Sequence, residues 1–118
     1  MYKFYNANAK GNFVNDCVVR AVSVAEGKSW NETYEELSYI AKNKGILLDD
    51  VNFVEPLLDS RYIRECYHST TVGEFVNHHA DGTFLITMNG HITCCINGTI
   101  YDTFDCRDRI MLCAWKVK

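Results

Sequence analysis

The 118-residue sequence predicts an α+β domain, with helices first and antiparallel strands last. Three observations carry that expectation. The run from Cys17 to Glu26 is polar only at Arg20, Ser23 and Glu26, three positions apart, which makes one narrow stripe on a helix and no alternation on a strand. Ser29 with Glu32, and Thr71 with Glu74, repeat the capping-box pattern that opens helices. Asn89-Gly90 and Asn97-Gly98 are tight-hairpin dipeptides separating apolar runs.

The elements follow in order. Asp16 is placed as the N-cap of a first helix and Gly27 as its C-terminal stop. A helix with so little polar surface is expected to be buried on most sides, although its valines favour strand locally. A second helix runs from the Ser29 cap to Lys44 and stops at Gly45, with Trp30, Tyr34, Leu37 and Ile40 or Ala41 as its apolar stripe. Residues 51 to 58 read as a short helix, Tyr62 to Tyr67 as a short strand, and Thr71 opens a brief helix to about His79. Thr83 to Met88, His91 to Ile96, Thr99 to Thr103 and Arg109 to Val117 read as strands.

Composition excludes several classes. A hydrophobic content of 47% with one proline, Pro56, argues against disorder, and no run approaches the ~20 apolar residues of a membrane span. A net charge of −3 offers no electrostatic case for nucleic acid. Arg61 with Arg64, and Arg107 with Arg109, stand beside acids and read as solvated loop charge. From Met1 onward the first ten residues lack a signal-peptide layout, so one complete cytoplasmic domain is expected, with six thiols in place of disulfides. In that compartment the sequons at Asn31 and Asn97 carry no meaning.

The chemistry centres on Cys17, a thiol at the first turn of a helix, where a thiolate forms most easily. The Asn97-Gly98 turn sets Ile96 against Thr99 and Thr93 against Asp102, so His91, Thr93 and Cys95 share a face with Ile100, Asp102 and Phe104. His91 and Asp102 are then diagonal neighbours, with Cα atoms roughly 7–8 Å apart and side chains within hydrogen-bond reach. A thiol nucleophile needs a base and a group that orients the base. Cys66, Cys94, Cys95, Cys106 and Cys113 lie on or beside strands and are expected to pack as small apolar residues. No Cys-x-x-Cys pair occurs, and adjacent Cys94 and Cys95 point to opposite faces, so neither a metal nor another cofactor is expected.

Asp16-Cys17 opening a buried helix, Gly90-His91 opening a strand and Tyr101-Asp102 on the next strand resemble a small papain-like cysteine peptidase. The likeness is nearest to bacteriocin-processing peptidase domains and short papain-fold proteins of bacteria and phages. It spans roughly residues 6 to 117 and rests on the order and spacing of short motifs. It implies a papain-like fold, a buried N-terminal cysteine helix packed on a C-terminal antiparallel sheet. It also implies Cys17 as nucleophile, His91 as base and Asp102 as orienter, acting on a peptide or protein substrate. One departure is plain: where such enzymes carry an oxyanion-hole glutamine six residues before the cysteine, this chain has Gly11. Asn6, Asn8, Asn12 and Asn15 are possible substitutes, and Asn12 stands nearest the expected place.

The reaction this implies is acyl transfer through a thioester on Cys17, with water as acceptor in a peptidase or amidase. An amine acceptor would make a transglutaminase-like acyltransferase. A rival of a different class is a non-catalytic binding module of phage or mobile-element origin, acting on a host protein.

Overall fold

The computed structural model describes all 118 residues. Helices α1 (Cys17–Glu26), α2 (Trp30–Lys44), α3 (Val51–Arg61) and α4 (Val72–Asn77) surround strands β1 (Tyr2–Phe4), β2 (Ile63–Cys66), β3 (Thr83–Met88), β4 (His91–Ile96), β5 (Thr99–Asp102) and β6 (Met111–Lys116). The strands form one sheet in the order β1-β5-β4-β3-β6-β2. All pairs are antiparallel except β1 with β5, so the sheet is mixed where a purely antiparallel one was expected. That strand, Tyr2 to Phe4, left no sequence signal: it is three residues long, and its partner lies at the far end of the chain.

Every residue of β3 is buried, because helices cover both faces of the sheet centre. On one face α1, α2 and α3 close over Leu85, Ile92, Cys94 and Trp115. On the other, α4 brings Val72, Phe75 and Val76 against Ile86, Cys95 and Ile100. Alternation along β4 therefore sorts Ile92 and Cys94 to the first core and Cys95 to the second. The hairpin register is Ile96 with Thr99, Cys95 with Ile100 and Cys94 with Tyr101.

Element ends differ from expectation for local reasons. Helix α3 runs three residues further, to Arg61, with the Ser60 hydroxyl donating to the Leu57 carbonyl. Helix α4 stops at Asn77, and the rings of His78 and His79 donate to the Glu74 and Phe75 carbonyls, both at 2.7 Å, which terminates it.

Two further expectations are corrected. Cys66 and Cys113 form a disulfide, so the chain holds four thiols in place of six. They face each other across β2 and β6 next to the hydrogen-bonded pair Tyr67 and Leu112, at a non-hydrogen-bonded position where antiparallel strands approach most closely. Arg61 and Arg64 are not solvated loop charge either. Arg61 pairs with Glu26 and Glu36, while Arg64 pairs with Glu55 and Asp59 and lies over the Trp115 ring. No helix is long and apolar enough to cross a membrane.

Candidate active site

Cys17 is the first residue of α1, half-buried at the floor of a groove of about 370 Å³. The groove runs between the start of α1, the start of α3 and the β3–β4 turn, where Gly90 leaves the approach to His91 open. Val18, Val54 and Met88 form its apolar floor with Cys17 and His91. Val51, 60% exposed, and Leu112, 49% exposed, form an open apolar rim.

The structure brings Cys17, His91 and Asp102 into one row. His91 Nε2 donates to Asp102 Oδ2 at 2.7 Å, which leaves Nδ1 as the nitrogen available to the thiol. Cys17 lines the same groove as His91 and Ile92 and is close enough for both to act on its thiol. The ring is held from the outside by Phe104, its centroid 4.7 Å away.

Asp102 is held at both carboxylate oxygens and at its carbonyl. Its Oδ1 accepts from Arg20 Nη1 at 2.9 Å and from the Thr103 N–H at 2.7 Å. Its carbonyl accepts from the Tyr5 N–H at 2.8 Å and from the Tyr2 hydroxyl at 3.1 Å. Strand β1 and the residue after it thus clamp the end of β5, so the strand the sequence concealed supports the site.

These contacts set the charges. Burial alone pushes the Cys17 thiol up, but the His91 bond, the Ile92 N–H and the Arg20 charge outweigh it and hold the thiol below its ordinary value. Burial pushes the His91 imidazole down, yet Asp102 and then Cys17 raise it to about 9. Burial pushes the Asp102 carboxyl up, and the His91 bond and charge with the Thr103 N–H together hold it below its ordinary value. Near neutral pH the imidazole is therefore protonated and the carboxyl ionised, facing a thiol that loses its proton more readily than an ordinary one. Burial lifts the other thiols instead: Cys94 and Cys95 go up, and Cys106 goes to about 11.

Asp16 occupies the N-cap position of α1 but does not cap it. Its carboxylate is drawn away by Arg20 Nε at 2.7 Å, Trp30 Nε1 at 2.9 Å and Asn8 Nδ2 at 3.0 Å. The first N–H groups of α1 are left without the side-chain partner that usually occupies them, beside the thiol. Such donors are suited to a developing oxyanion.

Among the asparagines, Asn15 lines the groove with Cys17, and Asn12 does not. Asn12 is exposed, its backbone N–H bound to Asn8 Oδ1 and its carbonyl to Asn6 Nδ2. Asn6 and Asn8 cross-brace the same loop through the N–H groups of Asn8 and Lys10. Gly11 stands at φ +71°, a left-handed conformation that a glutamine there would strain to adopt. Of the four candidate asparagines, Asn15 is therefore the one that lines the groove.

One group of side chains has metal-ligand chemistry: the nearest atoms of His91, Asp102 and Cys106 lie within 4.8 Å of one another. There the imidazole and carboxylate are already bonded to each other, and the Arg20 cation shares the carboxylate, which opposes a second cation. Sequence reasoning missed Arg20 as a site residue. The signal was available in the Asp16–Arg20 spacing of four, an ion pair across one helical turn. Comparison of the chain with known protein families, characterised proteins and solved structures finds no match.

Proposed function

We propose that this protein is a papain-like thiol hydrolase, a peptidase or amidase acting through a thioester on Cys17. The observation that carries the reading is the continuous row of thiol, imidazole and carboxylate opening onto a groove at an uncapped helix start. In the reaction, the Cys17 proton resides on His91, and the thiolate attacks the substrate carbonyl carbon. The oxyanion takes hydrogen bonds from the Cys17 N–H and the Asn15 amide. Collapse breaks the C–N bond, the leaving amine takes the proton from the imidazolium, and the acyl group stays on sulfur. His91 then deprotonates a water that attacks the thioester, releasing the acid and returning the proton to the Cys17–His91 pair.

The groove suits a peptide-like chain with an aliphatic side chain beside the scissile bond. Its apolar walls would take the side chain, and Asp49 and Glu55 with no lining lysine or arginine disfavour an acidic one.

The test is the pH dependence of iodoacetamide labelling at each cysteine, read by mass spectrometry, in wild type and His91→Ala. Cys17 is expected to react fastest, with an apparent pKa below that of a free thiol. His91→Ala should slow its labelling roughly 100-fold at pH 6. An inert Cys17, or one indifferent to His91, overturns the enzyme reading and turns the search to a binding module.

A further inference from the structure

We propose that Arg20 is a positioning residue of this site: its fork ties Asp16 to Asp102 and thereby fixes Asp102 against His91 while holding Asp16 off the helix end. The inference rests on the functional reading above and names a residue that acts through two others.

The geometry is specific. Arg20 lies one turn after Cys17 on α1, so it moves with the thiol. Its Nε bonds Asp16 Oδ1 at 2.7 Å and its Nη1 bonds Asp102 Oδ1 at 2.9 Å, with Nη1 also 3.4 Å from Thr103 Oγ1. Side-chain exposures of 12% for Arg20 and 2% for Asp102 place the pair away from solvent screening. The guanidinium therefore spans from the helix that carries the nucleophile to the strand end that carries the orienter. It binds the Asp102 oxygen that His91 does not use, which leaves Oδ2 aimed at the imidazole.

The same fork deals with Asp16. A free carboxylate at an N-cap turns inward and accepts the first helical N–H groups. Here that carboxylate is held by Arg20, Trp30 and Asn8, and the helix start stays open. Without Arg20, Asp16 is expected to cap α1, placing a negative charge beside the thiolate and occupying the oxyanion donors. A lysine in this place keeps the charge but cannot bridge two carboxylates in fixed directions.

Other groups around Asp102 are Cys106, a buried thiol, and Tyr2, whose hydroxyl bonds the Asp102 carbonyl. Neither is charged at neutral pH, so Arg20 is the one cation on this carboxylate apart from His91.

The test separates positioning from a mere nearby charge. Thiolate absorbance near neutral pH reads Cys17 alone, because burial raises the other thiols and Cys66 is bonded to Cys113. Imidazole ¹⁵N spectra, assigned with His91→Ala, read the His91 titration. Losing only a nearby positive charge would raise both titrations, since the imidazolium is then less repelled. Losing the hold on Asp102 raises the thiol titration but lowers that of His91 below its wild-type value.

Arg20→Gln is expected to move the two in opposite directions and to slow Cys17 alkylation about tenfold at pH 6.5. Arg20→Lys is expected to keep most of the thiol effect and still lower the His91 titration. An Arg20→Gln protein whose His91 titrates at or above the wild-type value overturns the proposal, as does an Arg20→Lys protein matching wild type in both readings. If Arg20→Gln does not fold, Arg20→Lys and Asp16→Asn, which removes the anchor of the fork, decide by the same His91 reading. A wild-type Cys17 that titrates as an ordinary thiol overturns the hydrolase reading instead, while the His91 arm still reports on Arg20.

Discussion

Helix α1 has a charged cluster at each end, and both are built around an arginine fork between two carboxylates. At the N-terminal end Arg20 spans Asp16 and Asp102. At the C-terminal end Arg61 binds Glu26 with Nη1 at 2.8 Å and Glu36 with Nη2 at 2.9 Å, and Lys28 and the Tyr62 hydroxyl complete the cluster. The titrations separate them. Burial, then Glu26, lifts Tyr62 to about 12, and the Arg61 bond holds Glu36 below the usual carboxylate range, so both keep one charge state through neutrality. At the other end one carboxylate oxygen is left to an imidazole that titrates at about 9, which faces a depressed thiol and an open groove. The same fork staples one end of the helix and poises the other. The two ends differ because only at the N-terminal one is a partner of the fork shared with groups able to exchange a proton.

The sharpest way to break this contrast is Asp102→Asn. It leaves Arg20 with one carboxylate and His91 without an anion, both in a buried setting. Unfolding in urea is expected to show a loss of about 3–5 kcal/mol. Alkylation of Cys17 at pH 6.5 should fall by about tenfold or more. A stability loss with unchanged labelling would make this end a staple like the other.

Arg61→Ala probes the opposite end. The Arg61 side chain is 24% exposed, and solvent screens its pairs, so a loss of about 1–3 kcal/mol is expected. The pH profile of Cys17 labelling should not move. The acid limb supplies a second reading. Because the Glu36 carboxyl is held below its ordinary 4.5, its contribution is complete above that value and is lost as pH falls through the folded pKa. Removing Arg61 should therefore flatten the acid loss of stability.

Much of the N-terminal cluster was legible in the sequence, because local rules govern it. The Asn97-Gly98 turn determines the register of β4 with β5, and that register alone carries His91 to Asp102. Gly27 and Gly45 end α1 and α2 in left-handed conformations, and the Ser29–Glu32 box starts α2, each through contacts spanning only a few residues. What was hidden depends on pairings far apart in the chain. Cys66 meets Cys113 only because β2 takes the edge beside β6, and Arg61 meets Glu26 only after α3 packs on α1. Asp16 was legible as a cap by position but not by role. Trp30 and Asn8, which help draw it off the helix end, approach through tertiary packing.

The smallest effect tests most directly whether the thiol and imidazole share a proton. Above both the depressed thiol titration and 6.5, and below about 9, folded wild type carries a thiolate with an imidazolium, and the unfolded chain carries a thiol with a neutral imidazole. Both states then hold one proton on the pair, so this pair contributes no pH dependence to stability in that window. Cys17→Ala removes the cancellation. His91 loses the thiolate, its second support, and is expected to titrate below about 9 but above the ordinary 6.5 while Asp102 remains. A group raised on folding stabilises fully below its unfolded pKa and loses that contribution as pH rises through the folded one. Stability of Cys17→Ala in urea should therefore decline from about pH 6.5 upward, by about 1.4 kcal/mol per pH unit at the steepest, and go on declining through the window in which the wild-type contribution is level. An unchanged His91 titration with a level profile in Cys17→Ala would mean that the proton is not shared. The two ends of α1 would then be staples of one kind.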